Sequence, residues 1–335
     1  MSLSPFSRHE MLTKKVSKVL CTFSAISAWA LFPIQPASAT SELRSKLESD
    51  VQLCLSGGGP LDLHVALCSR ALSALTDEPL AVANLLTHRG RYQMELGRLD
   101  AAAGDFEQAL VNNPSSVEAL RWQAENFRRQ RRLTEAKRSL DAAQSISFKN
   151  FAVARAQGWL AMDQGDLMTA ELQLLHAVEW HANDGEALTL NGIRSYLNAD
   201  FVQAEMWFAR AESVRYEYAH LGIWRWLAQV QNGAPTAEAL REREMADLDA
   251  DEWPMPLWQA LSSHESAEGF LTNPPQPRSR ADLQHFREGV VLAAEWLRVN
   301  GNRALALPFL QRVAGRPQAY DSARIFAALL AAKAK

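Results

Sequence analysis

From residue 41 onward apolar residues recur at helical spacing. Leu43, Leu47, Val51 and Leu55 fall on one face of a helix over Ser41–Leu55, and Leu61–Leu75 reads as a second helix. Ser56-Gly57-Gly58-Gly59-Pro60 breaks the chain between them. After residue 82 the pattern acquires a longer period of 34 residues, visible in windows starting at Ala83, Val117, Phe151 and Gly185. The eighth positions are Gly90, Ala124, Gly158 and Gly192. The twentieth are Ala102, Ala136, Ala170 and Ala204, and the twenty-seventh Ala109, Ala143, Ala177 and Ala211. Large residues hold the twenty-fourth: Phe106, Leu140, Leu174 and Phe208. The columns stay in phase without a gap.

The period and these columns resemble the tetratricopeptide repeat, a helix–turn–helix unit of 34 residues. The resemblance implies an all-α fold, a right-handed α-solenoid of stacked repeats, over residues 83–218. Small residues at positions 8 and 20 let helices A and B approach, and position 27 receives helix A of the next repeat. Position 15, the A–B turn, is Gly97, Arg131, Gly165 and Ala199; glycine suits a left-handed helix end better than the other two. One such unit cannot bury its own apolar face, so neighbours share a core.

Beyond 218 the period degrades. Ala219–Gln231 reads as a helix A and Thr236–Leu248 as its helix B, a degenerate fifth repeat over 219–261. Pro274, Pro275 and Pro277 mark 262–281 as a linker. Within 282–335 the pattern returns, with Ala294, Gly301, Ala306 and Leu310 at positions 8, 15, 20 and 24, and Ala319–Ala334 reads as a capping helix.

Residues 1–39 read as a secretory signal, with Met11 a possible start: a basic segment from Met11 to Lys18, an apolar run Val19–Phe32, then Pro33, Pro36 and Ala37-Ser38-Ala39. Cleavage after Ala39 gives a periplasmic or secreted protein without stable membrane insertion; a retained anchor is the alternative. Cys21 sits near the start of the apolar run, which argues against lipid attachment. Two cysteines then remain, Cys54 and Cys68. In an oxidising compartment they read as a disulfide stapling the helical hairpin of 40–78, the alternative being two buried thiols.

The mature chain carries 31 basic and 37 acidic residues, about −6 formally, which argues against a nucleic-acid partner. No nucleophile elbow, phosphate loop or His-Glu-x-x-His motif occurs. The reading is therefore no enzyme, no cofactor and no metal site. The acids between Glu238 and Glu252 read as a solvated helix face. Trp224, Trp226, Trp253 and Trp258 either fill the irregular fifth unit or form an aromatic surface for a peptide or sugar.

In the family, helix A residues at positions 2, 5, 9, 12 and 13 line the concave groove. Carried over, these give Arg91 in the first repeat and Glu118, Arg121, Glu125 and Arg128 in the second. Arg155, Trp159 and Met162 follow in the third, and Tyr196 in the fourth. The arginines suit carboxylates and the aromatic end suits apolar side chains. Alternatively Glu118, Glu125 and Asp163 neutralise the arginines. The family's lysine and asparagine carboxylate clamp does not carry over, because Thr87 or Arg121 stands at position 5 and Arg91 or Glu125 at position 9. The expected function is a non-catalytic periplasmic scaffold that binds a protein or peptide in this groove, an envelope role being what exported members of the family imply. A small-molecule or glycan module in the tryptophan-rich part is the second reading.

Overall fold

The computed structural model describes residues 37–75, 77–216, 218–246, 248–249, 252–275, 280–315 and 322–333. The basic and apolar stretches of the expected leader lie outside these residues. Among the described residues every regular element is an α-helix, seventeen in all. The chain divides into two compact units, residues 1–127 with 141–146 and residues 128–140 with 147–335.

The first unit opens with α1 (Ala37–Ser56) and α2 (Leu61–Ala74). Gly57, Gly58 and Gly59 between them all have left-handed backbones, φ 68°, 98° and 91°, which explains why this turn needs glycine three times. A disulfide joins Cys54 to Cys68 across the hairpin with Cα atoms 5.0 Å apart. Tyr92 of α3 (Pro79–Glu95) donates its hydroxyl to the Cys54 carbonyl at 2.8 Å and stacks on His64. The hairpin is thereby tied to the first repeat, α3 with α4 (Leu99–Asn112). Arg89 and Asp105 join those two helices through paired hydrogen bonds of 2.9 and 2.5 Å.

The second repeat is α5 (Val117–Arg129) and α6 (Leu133–Ile146), and the division between units falls inside it. The second unit continues with α7 (Phe151–Gln164) and α8 (Leu167–Trp180), then α9 (Gly185–Leu197) and α10 (Phe201–Ser213). Asn150, Asp166, Asp184 and Asp200 cap α7 to α10 by accepting from first-turn backbone N–H groups. The position-24 residues Phe106, Leu174 and Phe208 are fully buried, and each lies over the position-8 glycine of its own repeat. A Cβ on Gly158 would come within 2.6 Å of Leu174, and one on Gly192 within 2.4 Å of Phe208. The turn residue at position 15 is left-handed in all four repeats, including Arg131 (φ 64°) and Ala199 (φ 59°). Repeat geometry overrides residue preference there.

The fifth pair is α11 (Leu221–Gln231) and α12 (Ala237–Met245), followed by the short α13 (Met255–Ala260). Next comes α14 (His264–Thr272), which corrects the reading of 262–281 as a linker throughout. Ser263 caps it through Ser266 N at 3.1 Å, and Ala267, Phe270 and Leu271 bury a face at spacings of three and four. The later prolines had drawn attention away from that period. The C-terminal helices are α15 (Arg280–Val299), α16 (Arg303–Ala314) and α17 (Ser322–Lys333).

These last helices fold back on the A helices of their own unit. Phe326 of α17 stacks 6.0 Å from Trp159 of α7 and meets Trp224 of α11 edge-on at 5.8 Å. Tyr196 of α9 reaches Glu295 of α15. Helix α9 is in consequence buried on every side, apart from Glu186. A helix covered all round is interior, not the floor of an open groove.

Candidate functional site

In the first unit the expected groove residues converge. Arg121 Nη2 donates to Glu118 Oε1 at 2.8 Å, and Trp122 Nε1 donates to the same oxygen at 2.7 Å. Burial pushes the Glu118 carboxyl up, but the Arg121 charge and the two hydrogen bonds outweigh it and hold it below the usual carboxylate range. The Arg121 guanidinium lies 4.1 Å from the Trp122 ring centre and that of Arg91 5.8 Å. Arg91 also approaches Glu95 at 3.8 Å. Glu125 is half-buried on the same helix. His88, one turn before Arg91, is held near pH 4 by burial, then by the Arg91 charge, with Glu118 opposing.

In the second unit the same helix positions are internally matched. Asp163 gathers three guanidiniums: Arg128 at 3.3 Å, Arg131 at closer range, and Arg324 from α17 at 2.5 Å. Its carboxylate is 1% exposed. Arg155 donates to Asp184 at 2.6 Å and pairs with Glu186 at 3.0 Å, while Trp159 Nε1 donates to Glu186 at 2.8 Å. Met162 and Tyr196 are buried. The apolar end of the expected groove is therefore already occupied, and the aromatic side chain it receives is the chain's own Phe326. The placement of α17 explains this, and it corrects the picture of Met162 and Tyr196 as open groove residues.

The tryptophans divide. Trp224, Trp226 and Trp258 are buried, with Trp226 and Trp258 edge-on at 5.6 Å. Trp253 is half-buried and packs against Gly289. It lines, with Trp258, Tyr216, Tyr218 and His285, a cavity of about 800 Å³ whose other walls include Glu212, Arg215, Arg225, Glu244 and Glu252. A second cavity of about 190 Å³ lies between Trp159, Glu186, Ile193, Glu288 and Phe326, and shares Tyr216 and Tyr218 with the first.

Several of these residues escaped sequence reasoning. Glu288 and Glu295 are 3% and 0% exposed. Tyr218 Oη donates to Glu288 Oε2 at 2.7 Å and Tyr196 Oη to Glu295 Oε1 at 2.9 Å. Burial, then the Glu288 charge, pushes the Tyr218 hydroxyl far up, as burial and Glu295 do for Tyr196. Nδ1 of the fully buried His220 lies 2.7 Å from Glu288 Oε2 without the alignment of a hydrogen bond. A signal was present: with Ala294 at position 8, Glu288 and Glu295 fall at positions 2 and 9, the groove-facing positions of a helix A, on either side of the run Val290-Val291-Leu292-Ala293-Ala294. Among the described residues no group of three or more His, Cys, Asp or Glu side chains is placed to hold a metal, and no helix is long and apolar enough to cross a membrane.

This is an all-α helical-repeat protein. Its fold is that of the tetratricopeptide repeat proteins. No protein-family model matches the sequence, and no curated protein matches it. Solved structures do. The crystal structure of PilW, described as a widely conserved type IV pilus biogenesis factor, aligns at 19% identity over 60% of this chain and 93% of PilW, with a TM-score of 0.52. A tetratricopeptide repeat protein from Parabacteroides merdae aligns at 16% identity over 87% of this chain and 98% of its own, with a TM-score of 0.48. PilF of Pseudomonas aeruginosa aligns at 14% identity over 69% and 90%, with a TM-score of 0.46. At 19% identity the likeness to PilW is one of fold alone.

Proposed function

We propose that this chain is a non-catalytic periplasmic adaptor that holds a protein partner on the A-helix face of its first unit and serves envelope assembly. The observation that carries the reading is the cluster of Trp122 with the Arg121 and Arg91 guanidiniums, beside a Glu118 side chain 53% exposed. An aromatic ring edged by guanidiniums suits a peptide that presents a carboxylate next to an apolar side chain. The expected leader and the Cys54–Cys68 bond support export. PilW's description as a pilus biogenesis factor makes secretion and assembly machinery the first partners to try.

The test is capture of proteins from envelope extract on immobilised 40–335, beside an Arg91→Glu/Arg121→Glu variant. A partner held by the unmodified chain and lost from the variant supports the adaptor and its site. A partner held equally by both removes the site from this face.

The second reading, a small-molecule or glycan module, draws on the 800 Å³ cavity, which has the size of a ligand pocket and includes Trp253 and Trp258. Its test is a glycan-dependent shift in tryptophan emission that Trp253→Ala abolishes. Trp258 is the poorer choice for substitution, being 1% exposed.

A further inference from the structure

The 190 Å³ cavity differs in chemistry from its larger neighbour. None of its described lining residues is Lys, Arg or His, whereas Glu186 and Glu288 both face it. Arg155 stands behind Glu186, and its guanidinium is already engaged by Asp184 and Glu186 together. Glu288 is 3% exposed, and both its contacts, Tyr218 Oη and His220 Nδ1, fall on Oε2. Oε1 has no hydrogen-bond partner among the described residues, and neither does Ser322 Oγ on the same wall. A buried carboxylate oxygen left without a donor is costly unless a guest supplies one.

The remaining walls are aromatic: Trp159, Phe326, Tyr216 and Tyr218. Ring faces and carboxylates attract the same kind of guest, a cation with apolar surface. After burial, the Glu186 charge heads the causes that raise Tyr216, and the Glu288 charge those that raise Tyr218, which reports a negative field at this wall. The volume equals roughly six waters at about 30 Å³ each, room for a small organic molecule. Exposed Gln284 stands on the lining and gives it a side toward solvent.

We infer that this cavity binds a small organic cation, an alkyl or quaternary ammonium, with Glu288 Oε1 as its carboxylate and Trp159 and Phe326 as its aromatic walls. The inference does not rest on the adaptor reading proposed above.

Isothermal titration of residues 40–335 with tetramethylammonium and n-butylammonium chlorides, at matched ionic strength, tests the assignment against the neutral tert-butanol. Both cations bind with millimolar or tighter affinity and tert-butanol does not. Glu288→Gln weakens the cations at least tenfold. Absence of heat from both cations, equal binding of tert-butanol, or undiminished binding to Glu288→Gln overturns the inference. Should Glu288→Gln fail to fold by circular dichroism, Ser322→Leu decides the matter. Its added bulk fills the cavity, so cation binding that survives it also overturns the site.

Discussion

Arg324 Nη2 donates to Asp163 Oδ1 at 2.5 Å, joining residues 161 positions apart. The contact fastens the C-terminal helix to the third repeat, at a carboxylate that Arg128 and Arg131 also approach. Removing that carboxylate strands buried positive charge. We expect Asp163→Ala to lower stability by about 3–5 kcal/mol. Arg324→Ala should do less, because two guanidiniums still balance Asp163. Urea unfolding of the single and double variants checks both, with non-additive losses as the signature of direct coupling.

Phe326 brings apolar contact to the same junction. Its truncation to alanine leaves a void between Trp159 and Trp224, for an expected loss of about 3–5 kcal/mol. A shift of tryptophan emission to longer wavelength should accompany it, as both indoles gain access to water.

The disulfide closes a short loop, its cysteines lying 14 positions apart. Its reduction, or Cys54→Ala with Cys68→Ala, should remove about 3 kcal/mol from the hairpin and the first repeat. Thermal unfolding with and without reductant measures this, and the free-thiol count of the oxidised protein must be zero for residues 40–335.

Glycines in this chain should answer to alanine in opposite directions. Gly192→Ala drives a methyl into the Phe208 ring and should cost about 1–3 kcal/mol. Gly104→Ala meets nothing and sits on an exposed face of α4, so it should raise stability by about 0.5–1 kcal/mol. Ala199→Gly should raise it by up to about 1 kcal/mol, by relieving a left-handed backbone. Chemical denaturation of the three variants gives the signs directly.

His88 sets a pH dependence. Its folded-state value lies near 4 against an ordinary 6.5. Between those values the unfolded chain takes up a proton that the folded chain refuses. Stability therefore falls as pH drops from 6.5 towards 4, by at most roughly 3 kcal/mol, and His88 adds no further loss below that. His88→Gln should flatten this segment of the stability profile.

The repeats were legible because their constraints are local and periodic: a glycine or alanine under a large position-24 side chain, or an aspartate before α8 to α10, is written within one 34-residue window. The occupant of the concave face was not legible. Nothing near Trp159 in the chain signals Phe326, and nothing near Asp163 signals Arg324. A contact across that separation leaves no period to read. Helix α14 was overlooked for a different reason, since its apolar triplet lies close to prolines that dominate the local composition. Arg91, Glu118 and Arg121 were expected on one groove from their repeat positions; the structure sets Arg121 against Glu118 on one helix and Arg91 near Trp122 of that helix.

The enclosure of α9 bears on how the second unit is made. A ribosome delivers α7 and α9 well before α15 and α17, so until the last segment emerges the flank of α9 is open to water and Asp163 lacks one of its three counterions. A stack of this architecture ordinarily matures progressively, each repeat settling on the one before it. Here the second unit reaches its native arrangement only after α17 has been made. Until then the third and fourth repeats keep an unfilled flank, and Arg324 and Phe326 are the residues that close it.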